Sequence, residues 1–168
     1  MTKTASLLQT APETLLALRA ALLTRPDLDT VYALRDAGYA GGEALYQAFD
    51  AYVREKDLIG SQDLAIEHFF HRAGEFLTTG GWGKTTFSVQ DDAFCTIEID
   101  GCWEGTGAHQ PDPRGCHLTV GLLGAFLGKY AEYPVAVLET EGPESGSHVA
   151  KFIAGNTEMV ADFYARNS

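Results

Sequence analysis

Apolar positions along this chain fall first at helical spacing and later at alternating spacing. Leu15, Leu16, Leu18, Leu22 and Leu23 form a face that predicts a helix to about residue 24, with Thr10 as its cap and Pro12 and Glu13 in its first turn. Arg25-Pro26-Asp27 breaks it, and Asp27 or Asp29 caps a second helix that runs to about Lys56. The stripe of that helix is Val31, Leu34, Ala37, Tyr39, Leu45, Phe49 and Tyr52. Gly38, Gly41 and Gly42 lie inside it. Interior glycines cost about 1 kcal/mol each against alanine, so they imply a kink, a close helix contact or a helix broken in two. A third helix opens at Ser61. Ile66, Phe69, Phe70, Ala73 and Leu77 keep i, i+3, i+4, i+7, i+11 spacing, and Thr79-Gly80-Gly81 ends it.

The period then changes to two. Residues 84–90 (KTTFSVQ) and 93–99 (AFCTIEI) alternate and are rich in strand formers, and Asp91-Asp92 between them reads as a hairpin turn. Gly101 to Gly115 is a polar loop with two prolines and four glycines, either a binding loop or a solvated connection. A fourth helix is expected over 116–131, a strand over 135–140 after Pro134, a turn around Gly146 and a further strand over 147–153. Asn156 caps a final helix to about Arg166. Helices that precede and interrupt an antiparallel sheet define an α+β class. The 168 residues suit one domain, with residues 1–25 as a helical extension.

Composition narrows the partners. A net charge of −11 repels phosphate backbones and anionic lipid, which argues against nucleic acid and against membrane insertion. Residues 1–10 lack the apolar stretch of a signal peptide, and no apolar run approaches the roughly 20 residues that cross a bilayer. The expected location is the cytoplasm. Three cysteines exclude a complete intramolecular disulfide framework and are expected as reduced thiols.

Several residues carry two readings. Cys116 is a small buried hydrophobe at a helix start, or a ligand or reactive thiol. Cys102, His109, Cys116 and His117 are loop residues beside a buried thiol, or a metal cluster of unusual spacing. His68 and His71 lie on the third helix, with Glu67 four positions before His71 on the same face. They belong to a solvated face or reach a ligand. Trp82, flanked by Gly81 and Gly83, is a core anchor or a cavity wall. Gly121, Gly124 and Gly128 form a smooth helical edge that packs closely on another helix or borders a ligand tunnel. Gly80 to Thr86 lacks the spacing of a phosphate-binding loop and follows a helix instead of a strand. No dinucleotide fingerprint and no nucleophile–base–acid set occurs.

Four segments in order resemble the 4-vinyl reductase domain family. They are LRDAGYAGGEALYQAF at 34–49, Gly81-Trp82-Gly83, Cys116-His117-Leu118 with Gly121 and Gly124, and Glu139 through Gly146 to Phe152. The resemblance covers roughly residues 30–155. It implies a helical layer on a twisted antiparallel sheet, as in subunits of the TRAPP transport-particle complex, and a homodimer. It also implies a buried pocket for a small hydrophobic or aromatic molecule, as in sensory domains of phenol-responsive activators, where a histidine in this part of the domain binds the phenol hydroxyl. A tetrapyrrole-reductase role was proposed for another branch, and the tethering relatives carry an acyl chain. The sensory branch holds zinc on a cysteine, a glutamate and two further cysteines. Cys116 and Glu139 match the first two positions, and Gly142 and Ala150 stand where the paired cysteines belong. Structural zinc normally takes four protein ligands. The expectation is therefore no cofactor, with zinc on Cys116, Glu139 and a substitute, His148 or His117, as the alternative. The expected function is non-catalytic binding of a hydrophobic molecule, walled by Trp82, Phe87, Cys116, Leu123 and Phe126 and reached by His68 or His71. An enzyme or accessory factor and a ligand-free dimerisation subunit are the alternatives.

Overall fold

A computed structural model of the protein describes residues 11–25, 27–91, 94–105, 115–142 and 148–167. The Thr10 cap, Asp92 of the expected hairpin turn, His109 and the turn around Gly146 lie outside these residues. Helix α1 spans Pro12–Leu23, α2 Thr30–Asp57, α3 Ile66–Thr79, α4 His117–Ala131 and α5 Thr157–Asn167. Strands are β1 Lys84–Asp91, β2 Phe94–Asp100, β3 Ala136–Glu141 and β4 Val149–Gly155. The strands form one antiparallel sheet in the order β1-β2-β4-β3. The α+β expectation holds.

The 28-residue α2 is continuous. The Asp29 carboxylate accepts the Tyr32 amide at 3.1 Å and caps its start. Leu58, in the left-handed region at φ 60°, ends it. Of the three outcomes left open for its glycines, close contact is the one found. A β-carbon on Gly38 would overlap the Leu118 carbonyl oxygen, one on Gly42 the Ala125 side chain, and one on Gly121 the Arg35 carbonyl oxygen. The two backbones therefore touch, and α2 and α4 form the central helix pair.

The start of α3 differs from expectation. Ser61 opens a short 3-10 turn, Ser61–Asp63, and α3 begins only at Ile66. The Ser61 hydroxyl is buried against Asp50 Oδ1 and the Tyr46 hydroxyl, at 2.8 and 2.9 Å, and its amide donates to the same Asp50 oxygen. Asp50 thus anchors the turn in place of Ser61 capping the helix.

The core lies between the helical layer and one face of the sheet. Ile97, Ile99 and Phe152 rise from it to meet Phe49, Phe69, Leu77, Leu123 and Phe126. Phe49 packs edge-on against Phe69, Phe76 and Phe126, with centroids 5.2 to 5.6 Å apart. Tyr130 stacks on Phe69 at 3.7 Å and donates its hydroxyl to the Leu64 carbonyl. Ile153, of opposite parity to Phe152, is also buried, and α5 packs on β3 and β4. Asn156 Oδ1 caps α5 through the Met159 amide.

The described start of the segment after β2 turns inward, where its composition predicts a polar connection. Cys102, Trp103 and Glu104 are all buried, the last two in a 3-10 turn. No helix among the described residues is long and apolar enough to cross a membrane.

Candidate functional site

A groove of ≈ 860 Å³ opens to solvent between α3 and β1, with Tyr52 and Lys56 of α2 at one end. Its floor is built by close approach. At Gly74 the α3 backbone passes so near β1 that a β-carbon there would sit 2.8 Å from the Thr85 carbonyl oxygen. On either side Phe70 and Phe87 stack nearly parallel, 5.4 Å apart at 6°. His71, Thr78, Thr86 and Lys84 add polar edges. The groove thus offers an aromatic surface with hydrogen-bonding groups on its rim.

An ion-pair network stiffens one rim. Arg72 grips Asp57 through two nitrogens at 2.6 and 2.7 Å and reaches Glu75 at 2.7 Å. The Tyr52 hydroxyl donates to Glu75 at 3.3 Å. Hydrogen bonds from Arg72 hold the Asp57 and Glu75 carboxyls below their ordinary pKa, and burial followed by the Glu75 charge raises that of Tyr52. A carboxyl whose pKa is depressed on folding contributes stability above its unfolded value, and that contribution is lost as pH falls through the folded one. Asp57→Asn is therefore expected to be less stable than wild type at neutral pH, with the two converging below about pH 4. Thermal unfolding across that range measures this, and parallel curves would rule the linkage out.

A second polar centre lies where β2, α1 and the start of α4 meet. The Glu104 carboxylate is fully buried. It accepts the Leu118 amide at 3.0 Å, and the Thr119 amide and hydroxyl at 2.9 Å each. These are first-turn amides that a helix leaves unpaired, so Glu104 caps α4 from a distance. Arg19 of α1, also buried, lies 3.4 Å from Glu104 and donates to the Gly115 carbonyl at 2.9 Å. Beside them the Cys102 and Cys116 sulfurs are 3.6 Å apart. The hydrogen bond between them holds the Cys102 thiol low and pushes the Cys116 thiol up, with burial adding to the latter. Burial raises the third thiol, Cys95, to about 12.

The expected site residues separate. Phe87 and His71 line the groove. His68 is half exposed and pairs with Asp57 at 3.5 Å. Trp82 packs edge-on against Trp103, 5.9 Å between centroids, as a core anchor. Cys116, Leu123 and Phe126 are fully buried in the core. Along the glycine edge of α4 the α2 backbone closes on Gly121, and the Val135 carbonyl oxygen lies 3.3 Å from a β-carbon on Gly124. Sequence reasoning missed Arg19 and Glu104. Each is a polar residue whose described partners are remote in the chain, so no local spacing marks it.

The expected metal positions come together only in part. The Cys116 amide donates to Glu139 Oε2 at 2.8 Å, so this carboxylate faces the helix start. His117 and Glu139 both approach Gly115. His148 is exposed ahead of β4, its carbonyl accepting the Gly101 amide. Among the described residues no group of three or more His, Cys, Asp or Glu is placed to hold a metal ion. The zinc implied by the resemblance has no fitting ligand set among them.

No protein-family model matches this sequence, and no curated protein does. Solved structures do. The phenol-responsive sensory domain of the transcription activator PoxR, solved with phenol, matches with a TM-score of 0.69 over 90% of this chain and 77% of that one, at 14% identity. A trafficking protein particle complex subunit 3 from Naegleria fowleri, covalently bound to palmitic acid, matches with a TM-score of 0.59 over 86% of this chain and 93% of that one, at 17% identity. The chain shares their fold. At these identities the likeness concerns architecture, and it agrees with the TRAPP-subunit-like layering expected from the sequence.

Proposed function

We propose that this chain binds a small hydrophobic or aromatic molecule without transforming it, as a sensory-type domain. The groove between α3 and β1 carries the proposal. Its volume of ≈ 860 Å³ falls within the roughly 300–1,000 Å³ of small-molecule sites. Phe70 and Phe87 supply a face on which a ring can lie, and His71 and Tyr52 supply polar partners for a substituent. The shared fold with a sensory domain solved with phenol supports the same reading. This places the ligand in a solvent-open groove, where the sequence led to a buried chamber. The homodimer implied by the family resemblance belongs to the proposal, and sedimentation equilibrium tests it.

Calorimetric titration with phenol and with palmitic acid, beside mass spectrometry of an organic extract of fresh protein, tests the binding. Phe87→Ala is expected to weaken the ligand that binds by about tenfold, since aromatic contacts contribute about 0.5–1.5 kcal/mol beyond area. An unchanged affinity in the variant would remove the ligand from this groove. Absence of both binding and a co-purified molecule would remove the function.

A further inference from the structure

Cys102 and Cys116 stand fourteen positions apart in sequence and meet at 3.6 Å between sulfurs. Cys102 follows β2 and Cys116 precedes α4. They are 2% and 0% exposed. Both ends of the pair are fixed by contacts other than their own. The Cys116 amide is held by Glu139, and Glu104, two positions after Cys102, is bonded to the first turn of α4. Those same bonds draw the two backbones towards one another. Cys95 sits apart within β2, its sulfur 3.5 Å from the Thr96 carbonyl oxygen. A disulfide has an S–S length near 2.05 Å, so the sulfurs must close by about 1.5 Å.

We propose that Cys102 and Cys116 form a redox-active pair that closes to a reversible disulfide when the protein meets an oxidant of the peroxide class. The thiolate of one cysteine attacks a peroxide oxygen. The O–O bond breaks, leaving a sulfenic acid and water. The second thiolate attacks the sulfenic sulfur, the S–S bond forms, the S–O bond breaks and a second water leaves. Two thiols together lose two protons and two electrons, and the peroxide takes up both. The bridge ties the end of β2 to the start of α4, across the turn that holds Trp103 and Glu104.

Intact protein treated with graded hydrogen peroxide, then acid-quenched, denatured, alkylated and digested without reduction, tests this. The expected product is a Cys102–Cys116 linked peptide pair that dithiothreitol dissolves, with Cys95 alkylated throughout. Alkylation of both Cys102 and Cys116 at every peroxide dose would overturn the proposal. So would a linkage that uses Cys95, or sulfinic acid at either position in place of the link.

Discussion

Gly121→Ala is expected to destabilise the protein by about 3 kcal/mol, the upper part of the range for overpacked cores. The added carbon overlaps the Arg35 carbonyl oxygen and lies 2.8 Å from its carbon and 2.9 Å from the Tyr39 amide nitrogen. All three are α2 backbone atoms, so no side chain can rotate aside. Relief requires parting α2 from α4, which separates Phe49 from Phe126 in the middle of the core. Gly41→Ala is the informative contrast. Its nearest neighbour would be the Leu122 Cδ1 at 3.9 Å, an ordinary contact. Helix propensity then dominates, and the variant is expected to gain about 0.8–1.0 kcal/mol. Urea unfolding of both variants gives the two signs. Equal stability of Gly121→Ala and wild type would mean that the helices do not touch as described.

Removing the buried carboxylate at position 104 is expected to have a comparable effect by a different route. Glu104→Ala takes from Arg19 the carboxylate 3.4 Å away and from the Leu118 and Thr119 amides the acceptor they share. Breaking a buried ion pair from one side costs about 3–5 kcal/mol, because the remaining charge stays desolvated. Arg19→Met is expected to cost a similar amount for the same reason. The double variant should lose clearly less than the sum, since both single changes remove the same ion pair. Additive losses in a double-mutant cycle would show that the two residues act independently. Because Glu104 holds the start of α4, amide exchange at Leu118 and Thr119 should quicken in Glu104→Ala while the strand amides keep their protection.

The sequence was most legible where residues near in the chain act together. The spacing from Ile66 to Leu77 made α3, and Phe69, Phe70, Ala73 and Leu77 are its buried face, while Ile66 at its first turn stays exposed. Alternation made β1 and β2, and Ile97 and Ile99 point inward as the period of two requires. The Asp29 and Asn156 caps are local by nature and appear as expected. The expected helix start at Ser61 became a separate 3-10 turn held by Asp50, and α3 begins only at Ile66. Composition misled at Cys102–Glu104, three residues that open an expected polar loop and are buried. A charged residue becomes buriable once a partner such as Arg19 meets it, and nothing in the neighbouring letters announces that partner.

The candidate site was legible in kind and not in place. Aromatic residues and a histidine were expected at the ligand, and Phe87 and His71 do meet in one groove. For the glycines of α4 the sequence left close packing and a ligand tunnel both open, and the structure packs Gly121 against the α2 backbone. A glycine records only that something lies close, and whether a void, a ligand or another backbone fills that room depends on how two distant helices meet.

By itself, then, the sequence determined the main helices and strands, their order, the α+β class and much of the core, because periodicity and capping act within a few residues. Tertiary structure alone decided that α2 lies against the glycines of α4, that Arg19 meets Glu104, that Cys102 meets Cys116, and that a groove opens between α3 and β1. Each of these depends on the approach of segments far apart in the chain, and burial changes the cost of a charge, a thiol or a missing side chain only once that approach has been made.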